Sequence, residues 1–112
     1  MVADNQQRLG AEIQRRDTRS YGVCGAMTFD SVTDLWRQSA EMFSGQTFLN
    51  IDLADVTHTD SAGLALLVEW LCEASLQGAR IEFLNLPAQM LALAGVANLE
   101  QLLAGKQGSA LS

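Results

Sequence analysis

Residues 51–64 have the sequence IDLADVTHTDSAGL, in which a dense apolar strand pattern gives way to the start of a helix. The residues before this junction alternate from Thr47 to Leu53, and Leu49, Ile51 and Leu53 fall on one side, as expected for a central strand. The residues after it, Ser61 to Gln77, predict a long helix that ends at Gly78. A strand followed by a helix across a short polar junction is typical of α/β folds.

The flanking sequence completes one α/β domain with a mixed sheet of about four to five strands and helices packed against it. Residues 11–104 form this domain, and we expect residues 1–10 and 105–112 to be flexible ends. The further elements predicted are strands at 11–16, 19–24 and 80–85, a helix from Asp30 or Ser31 to Phe43, a helix from Pro87 to Ala94 that Gly95 stops, and a short helix at 98–104.

Composition limits the possible classes of function. The 112 residues are 48% hydrophobic and 18% charged, which excludes a disordered acidic tail. The longest apolar run, Ala62 to Val68, is much shorter than the roughly 20 residues that cross a bilayer. With 7 basic and 13 acidic residues, the net charge of −6 argues against a nucleic-acid partner. No export signal is visible at the start, so we predict a cytoplasmic protein without direct membrane insertion.

Candidate groups for catalysis and metal binding are few. Cys24 and Cys72 are expected to be buried free thiols, and with a single histidine they cannot supply a structural zinc site. His58 and Ser61 are close in sequence, but a strand-end histidine seldom reaches a hydroxyl three residues later with an acid to orient it. No phosphate-binding loop is present. We therefore expect neither an enzyme nor a cofactor.

The junction carries Asp60 and Ser61 at the predicted helix start. An acid and a hydroxyl there accept hydrogen bonds from backbone N–H groups that the helix leaves unpaired. The same position exposes Ser61 at the positive end of the helix dipole, where an added phosphate is favourable. Capping and reversible phosphorylation both remain open for this pair.

The long helix is more apolar than docking on a sheet requires. A stripe of Leu64, Leu67, Val68, Leu71 and Ala74 is sufficient for docking. The remaining apolar residues are expected on the outer side, where either a neighbouring helix or a partner protein covers them. These residues are Ala62, Ala65, Leu66 and Trp70, and Trp36 of the first helix is placed to reach the same surface.

Residues 51–53, Val56 and residues 60–67 resemble the signature of STAS domains, the fold of anti-sigma-factor antagonists. The resemblance extends over about residues 11–103. Within the family, residues 63–67, the Leu35-Trp36 pair and the short first strands are most similar to the MlaB group. Its members are small cytoplasmic subunits of the Mla phospholipid-transport ABC systems, which maintain outer-membrane lipid asymmetry.

The resemblance implies a partner and a set of contact residues. The partner is the transporter's ATPase subunit, through which the chain meets the membrane permease indirectly. Ser61 matches the hydroxyl that is phosphorylated in sigma-factor regulators, whereas transport subunits often have Thr there, so control of a sigma factor stays open as the alternative. The contact residues implied are Thr59, Asp60, Ser61, Ala62, Gly63, Ala65, Leu66 and Trp36.

Overall fold

The structure is a computed structural model that describes residues 11–99, 101 and 103. The ends expected to be flexible, residues 1–10 and 105–112, lie outside the described residues. The strands are β1 (Ala11–Arg15), β2 (Ser20–Met27), β3 (Phe48–Asp52), β4 (Val56–Thr59) and β5 (Arg80–Leu84), and the helices are α1 (Val32–Met42), α2 (Ser61–Leu76) and α3 (Ala88–Val96).

All five strands form one mixed sheet, which confirms the predicted α/β class. Strand β1 is antiparallel to β2, β3 runs parallel to both β2 and β5, and the order is β1-β2-β3-β5. The start of β2 pairs with β3, and its end, from Gly25 to Met27, pairs in parallel with β4 after a register shift between Gly25 and Ala26. Strand β2 therefore exchanges one neighbour for another along its length.

Strand β4 was not predicted, because residues 55–60 were interpreted as a polar connection. Val56 is its one strongly apolar residue, and two of its four residues, Thr57 and His58, are exposed. Pairing with β2 creates this strand, and such a long-range contact has no local signal in the sequence.

The core lies between the sheet and the helices. Leu49, Ile51 and Leu53 are buried, as the alternation at 47–53 predicted. Leu66 and Trp70 are only 5% and 2% exposed, so they do not belong to an exposed patch. Of the two alternatives left open for the outer apolar residues, cover by a neighbouring helix is the one that holds for Trp70.

Helix α1 is the neighbour that covers Trp70. The Trp70 Nε1–H donates to Ser39 Oγ at 2.8 Å, and Ser39 Oγ in turn donates to the carbonyl of Trp36 at 2.7 Å. The ring of Phe43 lies edge-on to Trp70, with centroids 5.5 Å apart. Helix α2 thus packs against the sheet, α1 and α3, which explains why it is apolar around much of its circumference.

Two glutamines on helices satisfy backbone groups at strand edges. Gln38 of α1 accepts from Ile13 N at 2.8 Å and donates to Ala11 O at 3.4 Å along β1. Gln89 of α3 accepts from Thr59 N on β4 at 3.1 Å. An edge strand whose backbone groups are occupied in this way is a poorer template for pairing with another chain.

Several predicted helix ends are shifted. Gly95 lies inside α3 and does not stop it, and the left-handed residue that follows the helix is Asn98, with φ 62°. Ser31 precedes α1 but its hydroxyl makes no cap, because it donates to the Ala26 carbonyl at 2.6 Å. Of the short helix expected at 98–104, the described part is the turn in which Leu103 N donates to Leu99 O at 3.1 Å.

Both cysteines are free, but the expectation that both are buried is wrong. Cys24 is half-buried on β2, whereas Cys72 is exposed on α2. Within the described part of the chain, no helix has the length and apolarity needed to cross a bilayer.

We expect Ser39→Ala to destabilise the domain by about 1–3 kcal/mol, because the buried Trp70 N–H loses its acceptor. Urea unfolding followed by circular dichroism measures this free energy. Ser75→Ala is the matched control, since Ser75 is exposed on α2. Equal stability of the two variants would contradict a structural role for the Ser39–Trp70 hydrogen bond.

Candidate functional site

Asp60 organises the start of α2. Its backbone is extended, and its Oδ1 accepts hydrogen bonds from the N–H groups of Ala62 at 2.9 Å and Gly63 at 3.3 Å. Its Oδ2 accepts from Phe29 N at 3.2 Å, which ties the loop after β2 to the same carboxylate. The capping role predicted for Asp60 is therefore confirmed, and it extends to a second segment of the chain.

The charge state of Asp60 follows from these contacts. Partial burial acts to raise the pKa of Asp60, but the N–H donors from Phe29, Ala62 and Gly63 and the nearby His58 outweigh it. The net result is a pKa below the ordinary value of 3.8. Asp60 is accordingly a carboxylate at neutral pH.

Gly63 allows the first turn of α2 to lie directly on the sheet. A Cβ at this position would collide with the carbonyl oxygen of Met27 and the hydroxyl of Thr59. Thr59 is only 1% exposed, and its Oγ1 donates to that same Met27 carbonyl at 2.9 Å. Thr59 and Gly63 thus lie beneath the surface, where they set the position of the residues above them.

Ser61 is the first residue of α2, and its side chain is exposed. The hydroxyl makes no hydrogen bond to any described residue, so it is free to meet solvent or a partner. His58, at the end of β4, is exposed near it. The predicted accessibility of Ser61 is confirmed.

A shallow apolar groove lies on one side of Ser61, between α1 and the first two turns of α2. We call it the α2 N-terminal groove. Phe29 and Trp36 form its rim, with 78% and 38% of their side chains exposed. Glu69 lies at one end, and the apolar lining consists of Phe29, Val32, Trp36, Ala62, Ala65 and Leu66.

A second groove lies on the other side of Ser61, between β4 and α3, and is called the α3 groove. His58, Asp60 and Ser61 form one wall, and the other is formed by Gln89, Ala92, Leu93 and Val96. Val96 is 90% exposed. Ser61 lines the α3 groove and the next residue, Ala62, lines the α2 N-terminal groove, so Ser61 lies between the two.

Among the residues implied as contacts, the structure brings Trp36, Ala62 and Ala65 to one groove, and the exposed Ser61 directly precedes Ala62. Leu66 contributes the floor of the groove. Sequence reasoning missed Phe29 and Val96. The available signal for Phe29 was an aromatic residue directly before the polar helix start at 30–31, whereas nothing local marked Val96.

The described residues contain no group of three or more His, Cys, Asp and Glu side chains placed to hold a metal ion. The charged contacts near β3 centre on Arg16, whose guanidinium bridges two carboxylates. Arg16 NH1 lies 3.3 Å from Asp52 Oδ2, and Arg16 NH2 lies 3.1 Å from Asp55 Oδ2. The hydrogen bond from Asn85 is the main factor that lowers the pKa of Asp52.

We expect Asp60→Ala to cost about 1 kcal/mol of stability at pH 7, because the helix loses its cap. The pKa of Asp60 is lower in the folded chain, so its contribution is fully present above the pKa of an unfolded Asp, about 4. It is lost as the pH falls through the lowered folded value. Chemical unfolding from pH 7 to pH 2 should show the difference between the variant and the parent chain shrinking in acid.

Asp60→Asn is the control for this cap, because asparagine caps helices about as well as aspartate and does not titrate. Its stability at pH 7 should lie between those of the parent chain and Asp60→Ala, because the amide oxygen still accepts from Ala62 and Gly63 but the NH2 group cannot accept from Phe29 N. The loss in acid at this site should be absent. A deficit equal to that of Asp60→Ala would contradict the cap as the source of the stabilisation.

Comparisons with known proteins agree with this geometry. A structure comparison matches the anti-sigma factor antagonist SpoIIAA in its unphosphorylated form. The TM-score is 0.59 at 17% identity, over 75% of this chain and 80% of that one, which shows a shared fold. The structure of Mglu in its native form overlaps with a TM-score of 0.47 at 20% identity, over 78% of this chain and 26% of that one, a likeness too slight for any conclusion.

The family of the chain follows from a comparison of its sequence with models of known families. No curated protein matches the chain. A family model described as Mlab, STAS domain, matches residues 22–104, from the middle of β2 past α3. The matched segment contains the Asp60 cap, Gly63 and both grooves beside Ser61. The chain therefore belongs to the STAS domain family, within the group that the MlaB model describes.

Proposed function

We propose that the chain is a non-catalytic accessory subunit of an Mla-type phospholipid-transport ABC system, which maintains outer-membrane lipid asymmetry. It binds the cytoplasmic ATPase subunit through the surface around Ser61 and supports the assembly and activity of that subunit. Its contact with the membrane permease is indirect, and it stays peripheral to the inner membrane through the complex. Membership in the MlaB group supports this choice of system.

The observation that carries the proposal is the α2 N-terminal groove. Two large aromatic side chains, Phe29 and Trp36, are exposed beside the small residues Ala62 and Ala65. Exposed aromatic residues beside a concave apolar surface are typical anchors of protein–protein contacts. Alanines at 62 and 65 let a partner approach the helix backbone closely.

The α3 groove enlarges this surface on the far side of Ser61. Val96 is 90% exposed, and Leu93 lines the groove beside it. A partner that covers both grooves also covers Ser61, so the hydroxyl would lie inside the contact.

We expect Ala65→Glu and Ser61→Asp each to weaken binding of the purified ATPase subunit by at least about 30-fold. An unpaired charge buried in a contact costs about 2 kcal/mol or more. Isothermal titration calorimetry measures the affinity, and thermal unfolding checks the fold. Both positions are exposed, and an acid in the first helical turn is favourable, so the domain itself should stay folded.

Ser75→Glu is the matched control, since it adds the same charge to an exposed position of α2 away from both grooves. Leu66 is unsuitable for this test, because it is only 5% exposed and a charge there would disturb the core. If Ala65→Glu and Ser61→Asp bind the ATPase as tightly as Ser75→Glu does, the surface around Ser61 is not the contact.

A second candidate function is that of an anti-sigma-factor antagonist switched by phosphorylation of Ser61. The exposed hydroxyl at the start of α2 favours it, because a phosphate there meets the unpaired N–H groups of the first turn. The added charge of about −1.5 to −2 would also lie between the two grooves and disrupt a partner bound there.

Intact-mass spectrometry of the chain isolated from growing and from stressed cells separates the two candidates. Phosphorylation adds about 80 Da at Ser61, and Ser61→Ala should abolish the heavier species. A heavier species in one condition supports the switch. Its absence in every condition, together with ATPase binding, supports the transport subunit.

A further inference from the structure

A second concavity adjoins the α2 N-terminal groove along the line where α1 and α2 meet. This helix cleft lies between the C-terminal halves of the two helices, above Leu49 and Ile81 of the sheet. Trp36 lines both concavities and forms the wall that they share. We call the groove and the cleft together the furrow. From Ala62 to Gln77 it follows about 22 Å of α2, at 1.5 Å per residue.

The walls of the furrow carry two carboxylates among apolar and neutral polar side chains. Glu69 lines the groove and Glu73 lines the cleft, and residues four apart share one face of a helix. No lysine or arginine occurs in α2 or among the residues that line either concavity. On α1, Arg37 is engaged by Asp34 at 3.5 Å. An occupant of the furrow thus meets an apolar floor with carboxylates along one side.

The shape and charge of the furrow select among the possible occupants. An extended strand adds to a sheet through free backbone groups at an edge, and helix side chains form the long walls of this furrow. An anionic lipid surface is repelled by Glu69 and Glu73. In a second copy of the chain, the same acidic helix would face these carboxylates, which disfavours self-pairing along α2. A helix with an apolar stripe and positive flanks complements both the apolar floor of the furrow and its carboxylates.

We propose that the furrow binds an amphipathic helix of the partner whose apolar residues recur at i, i+3, i+4 and i+7 and whose flanks carry lysine or arginine. The proposal rests on the proposed function for the partner's identity, and it specifies the chemistry of the segment that docks. The apolar stripe contacts Trp36, Ala65 and Leu66, and the basic flank faces Glu69 and Glu73. About four turns of helix fit along the length of α2 that the furrow follows.

The test reverses the charge of the furrow and measures binding of the purified ATPase subunit to the full chain at several salt concentrations. Glu69→Lys combined with Glu73→Lys should weaken the affinity about tenfold at low salt and flatten its salt dependence. Glu12→Lys combined with Glu41→Lys is the matched control, since it changes the net charge equally at exposed positions outside the furrow. The control should keep most of the parent affinity.

A second arm does not require the ATPase. Two synthetic helical peptides share one leucine stripe and are flanked by lysine in one case and by glutamate in the other. The Trp36 indole N–H resonance of the labelled chain reports on the furrow, because Trp36 is 38% exposed whereas Trp70 is 2% exposed. We expect the lysine peptide, and not the glutamate peptide, to shift this resonance.

The outcomes separate the two proposals. If the ATPase binds the furrow variant and the control equally at all salt concentrations, the inference about the furrow is overturned while the proposed function stands. If the ATPase does not bind the parent chain, the proposed function fails. The peptide experiment then decides the inference about the furrow. That inference is overturned if neither peptide shifts the Trp36 resonance or if both peptides shift it. A concentration-dependent shift of Trp36 without peptide assigns the furrow to a second copy of the chain and also overturns it.

Discussion

The rest of the structure depends on the close approach of α2 to the carboxyl end of β2. Gly63 lies so near the Met27 carbonyl oxygen that no side chain fits between them, and the buried hydroxyl of Thr59 bonds to that same oxygen. Asp60 fixes the helix at this distance by capping its first turn and by holding the N–H of Phe29. A larger residue at 63 would lift the helix from the sheet. The exposed surface around Ser61 is therefore a consequence of a backbone contact beneath it.

This approach also explains why α2 has little polar surface. The first turn of α2 packs directly on the sheet, and α1 packs along a second side of α2. The Trp70 N–H is therefore buried between the two helices, where it needs a hydrogen-bond acceptor. Ser39 supplies that acceptor and stays satisfied by donating to its own helix. The side that remains open carries Ala62 and Ala65 near its start and Glu69 and Glu73 beyond them. The apolar composition of α2 thus follows from its contacts with the sheet, α1 and α3.

The sequence predicted those features of the fold that depend on local pattern or on a specific motif. The alternation at 47–53 predicted the buried face of β3, and Asp60 before an apolar run predicted the start of α2. Strand β4 was missed because pairing with β2 creates it. The apolar pattern of α2 left Trp70 open to cover by a helix or by a partner, because that pattern does not reveal that α1 packs there. The accessibility of Ser61 followed from its position, whereas the α3 groove depends on how α3 packs.

Charge at Ser61 and charge at Glu69 have different consequences, although both residues lie on α2. Ser61 lies between the two grooves, so a partner that covers both removes water from its hydroxyl, and a negative group there would lose hydration. Glu69 lies at one end of a groove, where its carboxylate keeps contact with water and can face a basic side chain without full desolvation. Specificity for a basic helix can therefore reside at Glu69 and Glu73, while any switching by phosphorylation acts at Ser61. The two positions are eight residues apart, about two helical turns, so one partner helix that lies along α2 can contact both.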